Sequence, residues 1–149
     1  MKSDRATAGA IAGILGAITQ DIYGLTVKGI GLTDRAFIDF AKVIAFRTAT
    51  SGTLSFITGL VVHLTLGMMF GLLFSYIISM TSSNFYYYKA IGYSAGLWFW
   101  TLAVGSMVNL PLFAGIPVIS QITTFVGALI FGLAMAYSLK LLENKTEIV

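Results

Sequence analysis

No cysteine occurs anywhere in the chain, which excludes disulfide frameworks, thiolate metal sites and covalently attached haem. Charge is scarce as well: Asp, Glu, Lys and Arg together make up 10% of the residues, where soluble domains carry roughly a quarter. One histidine, His63, is present, so most acid–base and metal constellations lack parts. What fills the space is apolar. Hydrophobic residues make up 57% of the 149 positions, more than a soluble fold of this size can bury but well suited to lipid. The nine Lys and Arg give a net charge of +3 and are scattered at segment ends. Membrane proteins keep their basic residues there, and the pattern does not suggest a nucleic-acid partner.

The charges mark out the spans. Between Arg5 and Lys28 only Asp21 is charged, and the run lacks a cleavage site, so it reads as a retained first span over about 6–27. No formal charge lies between Arg47 and Lys89, which places a second span at about 53–80. The uncharged stretch from Lys89 to Lys140 is too long for one crossing of ~20 residues. Asn109, Pro111, Gly115 and Pro117 divide it into spans at about 88–108 and 118–141. The segments are continuously apolar rather than alternating, which excludes a transmembrane β-barrel. The expected fold is therefore an all-α membrane protein with four transmembrane helices.

The connector between spans one and two differs. Thr33 suits an N-cap for a helix over about 34–47. Phe37, Phe40, Ala41 and Ile44 recur at helical spacing on one face, and Arg35, Asp39 and Lys42 fall on another. With five charges, the segment reads as an amphipathic helix in the interface plane or as a connector packed on the bundle. Four spans put Lys2, Arg5, Lys89, Lys140 and Lys145 on one side of the membrane and Lys28, Arg35, Lys42 and Arg47 on the other. This is near balance. The absence of positive charge between Asn109 and Pro117 tips the termini to the inside.

Two echoes suggest a duplication of a two-helix unit in a 2+2 parallel repeat. Gly9-Ala10-Ile11-Ala12-Gly13-Ile14 resembles Gly92-Tyr93-Ser94-Ala95-Gly96-Leu97, and Phe70-Gly71-Leu72 with Tyr76 resembles Phe131-Gly132-Leu133 with Tyr137. The offsets are 83 and 61, and their difference of 22 matches the size of the connector. Small residues also form stripes at four-residue spacing: Gly9 and Gly13, then Gly59, Gly67 and Gly71, then Gly92 and Gly96. Such stripes let helix backbones approach closely inside a bilayer.

Two ionisable residues lie within spans. His63 shares the stripe of Gly59, Gly67 and Gly71 and so should face other helices, as a structural hydrogen-bonding imidazole or as a proton relay, haem ligand or quinone partner. Asp21, beside Gln20, is either interfacial or buried; if buried it needs a partner or a proton, since a charge at mid-bilayer costs ~3 kcal/mol. Neither has a counterpart in the echo, where Val104 and Thr124 stand. Trp98, deep in span three, either lines a cavity or fills the bundle, and Tyr86, Tyr87 and Tyr88 read as an interfacial belt. No nucleophile, acidic pair, metal cluster or phosphate loop is evident, so neither enzymatic activity nor a cofactor is expected.

The run Gly-Ala-Ile-Thr-Gln-Asp-Ile-Tyr-Gly at 16–24, followed by Leu-Thr-Asp-Arg-Ala-Phe-Ile-Asp-Phe at 32–40, is similar to small four-span bacterial membrane proteins of no assigned function. The resemblance implies a bacterial cytoplasmic membrane and carries over no site residues. Two functions remain. One is a non-enzymatic bundle serving as a subunit or accessory component of a membrane assembly, partnered by lipid, by copies of itself or by other subunits. The other is a small proton- or solute-coupled transporter or channel using Asp21 and His63. A pathway should gather Gln20, Asp21, His63, Asn109 and Gln121 around one cavity; a subunit needs no such gathering. On the four-span topology, single cysteines placed at positions 28 and 109 label from the same face of the membrane, and labelling from opposite faces rules that topology out.

Overall fold

The computed structural model describes residues 5–81 and 84–146, the last three of these as backbone only, so the charges of Lys2 and Lys145 lie outside the described side chains. Five helices and no strand occur among the described residues: α1 (Arg5–Gly29), α2 (Phe37–Phe46), α3 (Thr53–Met80), α4 (Tyr86–Met107) and α5 (Val118–Thr146). Three of them, α1, α3 and α5, are long and apolar enough to cross a membrane. α4 has the length, at 22 residues, but its tyrosines, tryptophans, serines and glycines keep its hydropathy below that of a candidate span.

The helix ends have local causes. α2 is shorter than its sequence suggests, and Thr33 is not its cap. Ala36 is the extended residue before the first turn, and its N–H donates to the Asp39 carboxylate at 2.8 Å. The Thr33 hydroxyl instead donates to Ser120 on α5 at 2.9 Å. α4 stops where expected. Asn109 takes a left-handed conformation (φ 52°), the N–H of Leu110 reaches back to the Gly105 carbonyl, and that of Asn109 reaches Ser106. This is the Schellman arrangement, in which Asn is the commonest substitute for glycine.

α1 lies between α3 and α5, α4 runs antiparallel along α5, and α2 packs on α3. Residue size is arranged inside out relative to a soluble core. The inward side of α1 is Ala8, Gly9, Ala12, Gly13, Gly16 and Ala17, and its outward side is Ile11, Leu15, Ile18, Ile22 and Leu25. With lipid outside there is no hydrophobic penalty for that, and close backbone packing supplies the cohesion.

Glycines set how closely the helices approach. A methyl group on Gly13 would collide with the backbone of Gly67, and one on Gly71 would lie 2.6 Å from the Gly13 nitrogen. Gly9 faces the Gly71 carbonyl, and Gly59 lets the α2 backbone at Ile38 come equally near. The third stripe behaves differently. Gly92 and Gly96 meet nothing within 4 Å, so they do not pack inside this chain. α5 sits on α4 two residues out of phase with that stripe, with Gly132 against the Ala90 carbonyl and Ser94. Gly67→Leu or Gly71→Leu is therefore expected to lose about 1–3 kcal/mol or more through overpacking. Leu72→Ala should lose much less and Gly92→Leu almost nothing. Thermal melts in detergent measure the order, and equal small losses at all four positions would mean the α1–α3 seam is loose.

Candidate functional site

The close seam between α1 and α3 leads directly to the two intramembrane ionisable residues. One turn beyond Ala17 on α1 is Asp21, and one turn before Gly67 on α3 is His63. Their Oδ1 and Nδ1 atoms are 2.8 Å apart, with side-chain exposures of 6% and 12%. No atom fits between them, so the two are in direct contact. The carboxylate nevertheless lies off the line of a ring N–H, and both Asp21 oxygens and His63 Nδ1 lack an aligned hydrogen bond. The pair can exist as carboxylate with imidazolium or as carboxylic acid with imidazole, one proton lying on either partner. Buried polar atoms left unsatisfied are rare and costly.

Phe37, the first residue of α2, stacks on the His63 ring (centroids 5.6 Å apart, planes within 17°) and covers the pair from the α2 side. It reaches across to α5, where Gly127 leaves room for its ring edge. Gln20 lies next to Asp21, 5% exposed, with its amide hydrogen-bonded to no described residue.

Both Gln20 and His63 line a cavity of about 350 Å³. It lies where α3 and α4 scarcely touch, walled by those two helices, backed by α5 and roofed by α2 and the loop after α4. On α4 the lining runs from Ser94 to Gly105, about 16 Å along the helix. The walls are chiefly aliphatic and aromatic, and no charged residue lines them. The roof is closed by Phe40 against Phe113, edge to face with centroids 4.9 Å apart. Trp98 lines the wall and is fixed by its indole N–H donating to the Thr124 hydroxyl at 3.1 Å.

The expected site is thus gathered only in part. Gln20, Asp21 and His63 meet, but Asn109 and Gln121 do not join them. Asn109 is exposed in the α4 cap, and exposed Gln121 donates its amide to the Ile116 carbonyl at its own helix start. Asp21 is buried within the bundle. The α2 stripe of Phe37, Phe40, Ala41 and Ile44 lines the cavity, as a connector packed on the bundle would. Tyr86 turns inward against Phe74 (5.8 Å) and is not merely part of a belt. The aromatic roof had only that periodic stripe as a signal. Phe113, in an irregular loop, had none.

The opposite face of α2 is a closed ionic cluster. Asp39 accepts from Lys28 at 2.5 Å and Lys42 at 2.7 Å, besides the Ala36 N–H. Asp34 takes both ends of the Arg35 fork at 2.6 and 2.9 Å and a hydrogen bond from Ser120, while Arg35 also donates to the Leu112 carbonyl. Burial pushes the Asp39 carboxyl up, but the bonds from Lys28, Lys42 and Ala36 outweigh it, and its pKa falls below the usual 3.8. Asp34 is held well below that value by the Arg35 and Ser120 hydrogen bonds.

Comparison of the chain with protein-family models, with curated proteins and with solved structures finds no match. The class is defined by the fold and site alone: a helical membrane protein with a buried carboxylate–imidazole pair beside an apolar cleft.

Because both Asp34 and Asp39 titrate lower when folded, their stabilisation is complete above the ordinary carboxylate range and is lost as pH falls through the lowered values. Melting temperature should stay level down to about pH 5 and drop below about pH 4. Asp39→Asn should be less stable at pH 7 by roughly 1–3 kcal/mol, with a shallower acid slope. An unchanged slope would show that the cluster does not hold α2.

Proposed function

We propose that this chain is a four-span protein of a cell membrane whose α3–α4 cleft binds an uncharged apolar or amphipathic solute, with binding coupled to the proton shared by Asp21 and His63. The observation that carries it is the 2.8 Å contact between two buried ionisable side chains at the wall of a 350 Å³ cavity. An apolar cleft lined by a few convergent polar groups is the usual form of a small-molecule site. A solute that hydrogen-bonds His63 changes which member of the pair keeps the proton. Moving the proton in turn changes affinity for the solute by the same factor.

A fourth crossing by α4 is supported by its course along α5, from Ala90 at Gly132 to Trp98 at Thr124, and on to Gly105 at Phe113 of the loop between them. A duplication of hairpins draws support from Gly71 and Gly132, each lying against the first helix of its own hairpin, and is opposed by the different packing of Gly92 and Gly96. The bacterial cytoplasmic membrane, with termini inside, fits the charge pattern and is part of the same proposal.

The subunit reading keeps one observation in its favour. α4 presents Tyr88, Gly92, Gly96 and Phe99 outward, a face with small residues at its centre and room for a neighbouring helix. One titration separates the readings. A fluorescent apolar probe, 1-aminoanthracene, added to the purified protein in nanodiscs should bind saturably. Its apparent affinity should change between pH 5 and 8 by up to ~10-fold per pH unit, as linkage to one proton allows. Asp21→Asn should make the affinity independent of pH. No saturable binding would leave only the structural subunit, and pH-independent binding in the unaltered protein would remove proton coupling.

A further inference from the structure

We infer that the occupant of the α3–α4 cleft is a membrane quinone, its ring carbonyl hydrogen-bonded by Gln20 and His63. This rests on the reading of the cleft as a ligand site and names the chemical class that fits it.

Charge is the first constraint. No Asp, Glu, Lys or Arg lines the cleft, and an ion placed there would lose its hydration without gaining a counter-charge. Asp21, in contact with the far side of His63, further disfavours an anionic head such as a fatty-acid carboxylate. The occupant is neutral.

Hydrogen bonding is the second. Gln20 is 5% exposed, lines the cleft and has no hydrogen bond to any described residue. His63 lines the same wall; its Nδ1 touches Asp21 and its Nε2 bonds to no described residue. Two unpaired groups at one depth call for a carbonyl or hydroxyl between them, because a purely apolar chain would leave both desolvated and unsatisfied. With Asp21 behind the ring, a hydrogen bond given by Nε2–H is strengthened by the neighbouring charge or proton.

Shape is the third. With Gln20 and His63, the cleft is lined by Phe37, stacked on the His63 ring, and by Phe40, Phe113, Phe70 and Phe131. Trp98, at the depth of the polar pair, is held by Thr124. Flat walls beside a carbonyl-binding point suit a conjugated ring, and the ~16 Å run along α4 leaves room for the start of a hydrocarbon tail. α3 and α4 meet at one end, where Tyr93 donates to the Phe70 carbonyl, and part beyond it, which leaves an open edge between two apolar helices that a lipid-soluble molecule can enter.

The two tryptophans of the chain, Trp98 and Trp100, both line the cleft, and quinones quench tryptophan fluorescence. The test uses full-length protein in nanodiscs carrying Trp100→Phe, so that Trp98 alone reports, titrated with a decyl-substituted benzoquinone. Saturable quenching is expected, with Gln20→Leu and His63→Leu each raising the apparent Kd at least tenfold and Thr65→Ala, on the exposed side of α3, leaving it unchanged. Gln20→Leu spares the ion pair, so it remains informative if His63→Leu fails to fold. Non-saturating quenching, equal Kd in the Gln20→Leu variant, or displacement of the quinone by decyl alcohol at equal concentration would each overturn the inference. If 1-aminoanthracene binds with the expected pH dependence but the quinone does not, the quinone assignment falls and the ligand-site reading stands. If neither binds, both fall.

Discussion

Everything in this bundle depends on how close α1 and α3 come. Gly13 and Gly67 place backbone against backbone, and Gly9 and Gly71 extend the contact towards the chain ends. At that separation a carboxylate on one helix and an imidazole on the other, one turn further along the seam, cannot avoid each other. A methyl group at the seam would push the helices apart and open the 2.8 Å contact between Asp21 and His63. The glycines are thus as much a part of the site as the ionisable groups, although they bear no chemistry.

The same closeness on one side leaves a gap on the other. α1 is filled on both flanks, by α3 and α5, whereas α4 lies along α5 and meets α3 only at one end, where Tyr93 donates to the Phe70 carbonyl and Tyr86 packs on Phe74. Beyond that end the two helices part, and the space between them is left to the cleft. α2 then acts as a cover. Its inner residues Ile38 and Val43 are buried against the bundle, its aromatic stripe forms the roof, and its charged side is tied down by Lys28, Lys42 and Arg35.

Most of this architecture was legible in the sequence because charge and glycine spacing respond to lipid directly. The uncharged stretches located the helices, Asn109 located the end of α4, and the stripe through Gly67 and Gly71 pointed His63 inward. Two features were not legible, each for a physical reason. A stripe of small residues shows that a helix can be approached, not by what; Gly92 and Gly96 look like Gly9 and Gly13 yet face outward. The approach of Asp21 to His63, and of Phe113 to Phe40, is a long-range pairing fixed by helix rotation and loop course, which no local periodicity encodes. Gln121 misled for the related reason that a polar residue early in a helix satisfies its own helix end as readily as a distant site.

The hydrogen bonds from Thr33 to Ser120 and from Ser120 to Asp34 join positions 87 and 86 residues apart, linking the linker after the first helix to the beginning of the last. That join has a consequence for biogenesis. α1 is synthesised before α5, and half of its small-residue surface, around Gly16, has no partner until α5 arrives with Phe131 and Met135. The polar linker behind it waits for the same event. Until α5 is made, one flank of α1 is therefore uncovered, and the docking of α5 fills that surface and satisfies the linker together.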